Sequence, residues 1–277
     1  MNNTNKIIFL ILGAVIYSYA AFDLFPVPEG SGGSIRLSNT IFAINKELDE
    51  DEQNYIAGRH VIEARYYFNN FEMYTQLSGM HWDSYYYSEY AFGFLDIALG
   101  LRYKIHPNIN VFMDLDGIPF GADQMNIRYL KLGLQFGGVV NKRFTVGSEI
   151  GLKNPFERDL LKSGRGKEST GVKIDQGSIL NLTGEVDVQF NRIIAFLYLN
   201  LEVQIYDSEF NSPKRSYQQD KDGSGNGLFE FIYGVCVAIN PLTSIEFNQG
   251  FKFGKLRKLS YEPNYVLSLG VNLKRNF

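Results

Sequence analysis

The sequence predicts an all-β protein, a transmembrane antiparallel up-and-down β-barrel of about twelve strands with short turns at one end and longer loops at the other. Three observations predict it. Apolar and polar residues alternate with a period of two through segments near the ten residues that a tilted strand needs to cross a bilayer. The links between these segments alternate between tiny turns and long loops. Finally, 15% of the residues are aromatic, with 22 Phe and 18 Tyr, while the mean hydropathy is −0.16. Helical membrane spanning is excluded because only one apolar run exists and it is short, whereas barrels carry aromatic rings at both interfaces.

The chain begins with polar residues and one base, Lys6, followed by the apolar run Ile7 to Tyr17. That run is too short to span a bilayer as a helix. Ser18-Tyr19-Ala20 places small residues where a signal peptidase reads, so residues 1–20 are expected to be a signal peptide cleaved after Ala20, an N-terminal anchor being the alternative. No Cys follows the run, which argues against a lipoprotein. Residues 21–33 hold Pro26 and Pro28 and end in Ser31-Gly32-Gly33. They read as a periplasmic lead-in, or as a stretch tucked into the barrel mouth. No later linker has this composition, so residues 34–277 are expected to form one barrel domain.

The expected strands are 34–43, 60–69, 71–80, 89–105, 109–117, 128–140, 143–154, 178–190, 193–207, 227–240, 243–255 and 265–277. Every second link is short and turn-like: Asn69-Asn70, His106-Pro107-Asn108, Asn141-Lys142-Arg143, Asn191-Arg192 and Asn240-Pro241. Asn and Pro suit such turns for backbone reasons. The other links, 44–59, 81–88, 118–127, 155–177, 208–226 and 256–264, are longer. This asymmetry puts the short turns in the periplasm and the long loops outside, and both termini inside, which requires an even strand number.

Alternation assigns faces. Leu130, Leu132, Leu134 and Phe136 oppose Tyr129, Lys131, Gly133 and Gln135, and the last strand sets Leu269, Val271, Leu273 and Phe277 against Asn272, Lys274 and Asn276. A soluble barrel would turn its apolar face inward. Here the other face carries charges along whole strands, as a hydrated lumen does, so the apolar face is assigned to lipid; a soluble sandwich or lipocalin-like barrel is the bland alternative. The expected lumen-lining acids are Glu63, Glu72, Asp96, Asp114, Asp116, Glu149, Glu185, Asp187, Glu202, Glu230 and Glu246. The expected bases are Arg36, Arg65, Arg102, Lys104, Lys131, Lys153, Lys252 and Lys274. Such a mixed wall is weakly acidic at most and lacks the basic ladder of a strongly anion-selective pore. The inward aromatics Tyr74, Phe92, Phe94, Phe112 and Tyr198 narrow it, either as filler or as a greasy slide.

Other chemistry is weakly marked. Net charge is −3 and no basic patch exists, so nucleic acid is not an expected partner. The single Cys236 cannot form an internal disulfide and reads as a buried structural thiol. His60 and His81 would meet at the outer rim if the second and third strands pair, where imidazoles could bind a metal or work with Asp83. His106 reads as turn chemistry. No Ser-His-Asn set of the phospholipase kind is found in mid-barrel. Asp220 to Asn226 resembles the front half of a calcium loop, but Phe231 stands where the bidentate acid belongs. The acidic run Glu47 to Gln53 is expected to be a solvated loop, Gly164 to Thr170 has no phosphate-loop spacing, and His81 to Tyr87 is read as outer aromatic girdle. No catalytic, cofactor or metal site is assigned.

Phe277, ending an amphipathic strand, resembles the closing strand of bacterial outer-membrane barrels, in which the terminal aromatic is the assembly signal read by the barrel-assembly machinery. Phe94-Leu-Asp-Ile-Ala-Leu-Gly-Leu-Arg-Tyr-Lys104 and Tyr129-Leu-Lys-Leu-Gly-Leu-Gln135 resemble strands of the transporter-like family of the MetA pathway of phenol degradation, over residues 88–277. That resemblance implies passage of small, apolar molecules. The expectation is therefore a Gram-negative outer-membrane protein, embedded in lipid, forming a narrow channel for passive transport of small molecules. Two alternatives stay open: a non-conducting structural or interaction barrel presenting its loops, and a hydrolase with a rim active site.

Overall fold

The computed structural model describes residues 27, 30–48, 51–83, 90–119, 129–155, 158–161, 169–175, 177–205, 209–211, 227–254 and 265–277; for 44–48, 51–55, 80–83, 90–96, 116–119, 155, 158–161, 169–175 and 209–211 it describes backbone only. Twelve strands close into one antiparallel barrel. In chain order these are β1 (Ser31–Leu48), β2 (Asp51–Phe68), β3 (Phe71–Asp83), β4 (Tyr90–His106), β5 (Ile109–Pro119), β6 (Tyr129–Val139), β7 (Phe144–Pro155), β10 (Ile179–Phe190), β11 (Ile193–Gln204), β13 (Gly227–Asn240), β14 (Thr243–Gly254) and β15 (Tyr265–Asn276). The remaining three, β8 (Arg158–Leu161), β9 (Ser169–Asp175) and β12 (Glu209–Asn211), form a small separate sheet in the order β12-β9-β8. It is built from two of the long links. Around the barrel the order is β1-β15-β14-β13-β11-β10-β7-β6-β5-β4-β3-β2, so each strand pairs with its neighbours in sequence and β15 returns to β1.

The short turns have local causes. Asn69 (φ 52°) and Asn191 (φ 54°) adopt the left-handed conformation that a tight hairpin needs and that Asn tolerates. Asn141 Oδ1 accepts from the N–H groups of Arg143 (2.9 Å) and Phe144 (3.1 Å), and Asn240 Oδ1 from that of Leu242 (2.9 Å). His106 Nδ1 accepts from the Asn108 N–H at 3.3 Å, which is turn chemistry. The seam closes through Phe277: Gly33 and Phe277 exchange both backbone hydrogen bonds at 3.0 Å. The Phe277 ring lies over Gly33, where a Cβ would come within 2.6 Å of the ring Cζ.

Burial is inverted relative to a soluble domain. Leu132 and Leu134 are 44% and 36% exposed, while Gln135 on the opposite face is fully buried. The same holds around the ring: Leu273 and Val271 point out, and Asn272 and Lys274 point in and are buried. An apolar exterior of this extent is stable only against hydrocarbon, and a closed ring leaves no unpaired backbone edge within it. Aromatics gather near both ends of the exterior. At the short-turn end Tyr66, Phe68, Phe71 and Tyr103 form a chain of ring contacts, and towards the loop end Phe229 meets Phe253 at 5.0 Å and Phe231 meets Tyr233 at 5.5 Å.

One sequence expectation is corrected here. Residues 44–59 were expected to form a loop, with Glu47 to Gln53 solvated; instead β1 runs to Leu48 and β2 starts at Asp51, an extended hairpin paired through Leu48↔Asp51. Two residues connect them, and cross-strand pairing satisfies the backbone where the side chains gave no alternation to read.

Candidate functional site: the charged lumen

Twelve strands enclose more room than the side-chain-filled eight-stranded barrels and less than the wide porins. What fills the interior is therefore decided by its side chains. Three aromatic rings lie over four inward glycines. A Cβ on Gly100 would collide with the Tyr74 ring, one on Gly133 would sit 2.8 Å from Phe112 Cε1, one on Gly151 3.1 Å from Phe112 Cζ, and one on Gly234 2.7 Å from Phe196 Cζ. Such pairs let a ring hug the wall and reduce the lumen without blocking it at a single point. Tyr74, Phe112 and Phe196 thus occupy space along the wall, and Tyr198 shares the inward face of β11 with Phe196. The side chains of Phe92 and Phe94 lie outside those described.

The charges are joined across strands. Glu72 Oε1 accepts from Arg65 Nη1 at 3.0 Å and from Arg102 Nη1, and Arg65 Nε also donates to Glu63 Oε1 at 2.6 Å. Both guanidinium groups stack on the Tyr74 ring, at 4.9 and 5.1 Å from its centroid. Further round the ring, Lys131 of β6 pairs with Glu149 of β7, and Lys153 of β7 with Glu202 of β11. Near the seam, Arg36 Nη2 donates to Glu246 Oε2 at 3.2 Å, while Asn248 and Asn272 each donate to Glu246 Oε1 at 2.7 Å.

Buried amides connect these pairs, and they are the part that charge counting overlooked. Gln135 Nε2 donates to Glu149 Oε2 at 2.8 Å, and Asn110 Nδ2 to Gln135 Oε1 at 3.4 Å. Asn110 Oδ1 in turn accepts from the Val27 N–H at 3.3 Å. Val27 is 2% exposed, so this point of the lead-in is seated inside the barrel. On the far wall Asn181, Thr183 and Asn200 bond one another, and Asn200 reaches Glu202. Alternation had already put these amides on the inward face; their burial was the missing signal.

The inward assignments stand as follows. Glu63, Arg65, Glu72, Arg102, Asp114 and Glu149 are buried on the inner wall, as are Glu185, Asp187, Glu202, Glu246 and Lys274. Arg36, Lys104, Lys131, Lys153, Glu230 and Lys252 are half-buried. Asp96 and Asp116 lie at inward positions of β4 and β5, with side chains outside those described. Arg65, Arg102, Glu149 and Glu185 are buried by their neighbours on the wall, and the rings beside them reduce the passage at this level.

His60 is corrected. Expected at the outer end of its strand, at the rim, it lies inside β2, opposite Gly79 of β3 and on the lipid-facing side. Its Nδ1 and Asn39 Oδ1 are 2.7 Å apart. The lengthened β1–β2 hairpin is what moves it down the wall. His81 is placed in β3 opposite Gly58, one like-facing pair from His60, and its side chain lies outside those described. The segments Asp220–Asn226 and most of Gly164–Thr170 and His81–Tyr87 also lie outside the described residues. Cys236 is buried on the inner wall among its neighbours Ser244 and Glu246.

No protein-family model matches the chain, and no curated protein does. Solved structures match its fold. An outer membrane channel from Pseudomonas putida F1 superposes with a TM-score of 0.67 at 10% identity, over 93% of this chain and 99% of that one. The NanC porin gives 0.53 at 8% identity, over 87% and 98%. The translocator domain of the autotransporter NalP from Neisseria meningitidis gives 0.51 at 12% identity, over 99% and 96%. At these identities the likeness is one of architecture: the chain has the outer-membrane type of twelve-stranded barrel.

Proposed function

We propose that this protein is a bacterial outer-membrane barrel forming a narrow channel for the passive transport of small molecules. One observation carries the reading: a closed ring with an apolar outside has, among the described residues, a polar and charged inner wall. A barrel that served only as a rigid body would gain more from an apolar filling, whereas a wall of ion pairs and amides suits contact with water and polar solute. Its likeness to the outer membrane channel and to the porin supports the same reading. On this reading residues 1–20 are the signal peptide, 21–33 the lead-in that reaches the lumen at Val27, and the remainder the barrel, with Phe277 the signal to the assembly machinery. The protein is a transporter and not an enzyme.

A second reading, a non-conducting structural barrel, is favoured by the deep burial of the inner wall. Planar-bilayer recordings on refolded protein separate the two. We expect discrete ion steps of low conductance, with solute entry into liposomes. A folded barrel silent in both assays would refute the channel and leave the structural reading.

A further inference from the structure

The inward charges are not evenly mixed once the ring order is known. β10, β11 and β13 are neighbours in the ring; they carry Glu185, Asp187, Glu202 and Glu230 and no Lys or Arg anywhere along them. On the adjoining β5, β6 and β7, Asp114, Glu149 and, by its place in the strand, Asp116 stand against Lys131 and Lys153. That half of the ring therefore holds seven acids and two bases. The other half, β14, β15 and β1 to β4, carries Arg36, Arg65, Arg102, Lys104, Lys252 and Lys274 against Glu63, Glu72, Glu246 and, by its place, Asp96: six bases and four acids. Arg59, on the same face of β2 as Glu63 and Arg65, adds to the basic half.

The halves face each other at one level. β1 is six places from β7 in the ring of twelve and β2 six places from β10, which sets Arg36 across from Glu149 and Arg65 across from Asp187. From the short-turn ends of their strands, Arg65 lies three residues above Phe68, Asp187 three above Phe190, Arg36 five above Ser31 and Glu149 five above Phe144. Asp187 and Arg65 are both buried in the wall at this level, where Tyr74 and Phe112 narrow the passage.

We infer that this constriction selects small zwitterionic solutes, molecules with a cationic and an anionic group a few bonds apart, such as free amino acids. The inference rests on the channel reading. A solute with one charge is attracted by one wall and repelled by the other, and loses water in a narrow space. A zwitterion can turn its ammonium towards the Glu185–Asp187 wall and its carboxylate towards the arginine wall, so both groups are compensated as they shed water. An apolar solute must displace water from both walls and gains nothing in return.

The test uses the refolded mature chain in liposomes, with glycine compared against glycolate and ethanolammonium, which are of similar size but carry one charge. Glycine is expected to enter at least about threefold faster than either, which is what one charge at about 6 Å in a water-like dielectric is worth. In the Glu185→Gln/Asp187→Asn variant that advantage disappears and glycolate overtakes ethanolammonium. The Arg36→Gln/Lys274→Gln variant moves the ratio the opposite way. Single Asp187→Asn and Lys274→Gln variants give the same signs at reduced size if a double variant fails to refold. Equal entry of the three solutes, or the same shift in both variants, overturns the inference while leaving a channel. No entry of any solute, with no conductance, refutes the channel reading itself.

Discussion

Glu72 is the most informative residue to perturb, because the size of the effect reports how wet the lumen is. Its Oε1 holds Arg65 at 3.0 Å and Arg102 as well, all three side chains being about nine-tenths buried. At an effective dielectric near 20, each contact at that distance is worth about 5 kcal/mol of attraction before desolvation; at the dielectric of bulk water it is worth about 1.4 kcal/mol. Glu72→Gln keeps the shape and leaves two guanidinium groups beside the Tyr74 ring, with Glu63 near Arg65 and Asp114 near Arg102 as the nearest remaining acids. If the passage at this level is narrow, the loss should approach that of a broken buried pair, about 3–5 kcal/mol. Urea unfolding of the barrel in lipid vesicles measures it, and an Arg102→Met partner variant completes a double-mutant cycle that isolates the pair. A loss below about 1 kcal/mol, the value of an exposed pair, would mean that bulk water reaches these groups. That result would refute the shielding of this cluster by the rings and side chains around it.

Two further predictions test the wall from each side. Leu134→Arg places a charge on the exterior in the middle of β6 and should destabilise the barrel by about 2–4 kcal/mol in bilayers, with a much smaller effect in an unfolded reference; a neutral result would mean that this face does not meet hydrocarbon. Gly133→Val drives two methyl groups into Phe112 and the Ile150 carbonyl and should cost about 1–3 kcal/mol of stability by the same unfolding assay, with Gly133→Ala smaller but of the same sign.

Face assignment was legible in the sequence because a period of two leaves no freedom once one side is apolar: Leu134 out and Gln135 in follow from each other. Turn position was equally legible, since Asn69 and Asn191 mark points where φ turns positive. The upper part of β1 and β2 was not. Lys46 to Gln53 is polar on both faces, and above the lipid belt neither face has to be apolar, so alternation carries no information there although the backbone still pairs. The same physics misplaced His60, whose height depends on where that hairpin ends. The lumen was legible as a set of residues but not as a field. The links 155–177 and 208–226, which hold β8, β9 and β12, were read as lying outside the ring, so the strand order was legible; what counting acids and bases left out was how the charges divide between the two halves of that ring.

The glycines beneath the aromatics explain how so many charges can be kept inside. A twelve-stranded ring is wide enough for water, and charged side chains in a wide lumen would stay solvated and contribute little to stability. Tyr74 over Gly100 and Phe112 over Gly133 and Gly151 put apolar surface flat on the wall beside the bases. Arg65, Arg102 and Lys131 then rest on those rings, with Lys131 Nζ 5.2 Å from the Phe112 centroid. Each cation is thereby partly withdrawn from water and held near its acid without a side chain crossing the lumen. Width is reduced, rigidity is gained, and the two charged halves are brought within reach of one small solute. Substituting Gly100 or Gly133 would therefore do more than strain the sheet: by lifting a ring off the wall it would push the attached cation into the passage, so stability and selectivity should change together at these positions and separately at lipid-facing ones.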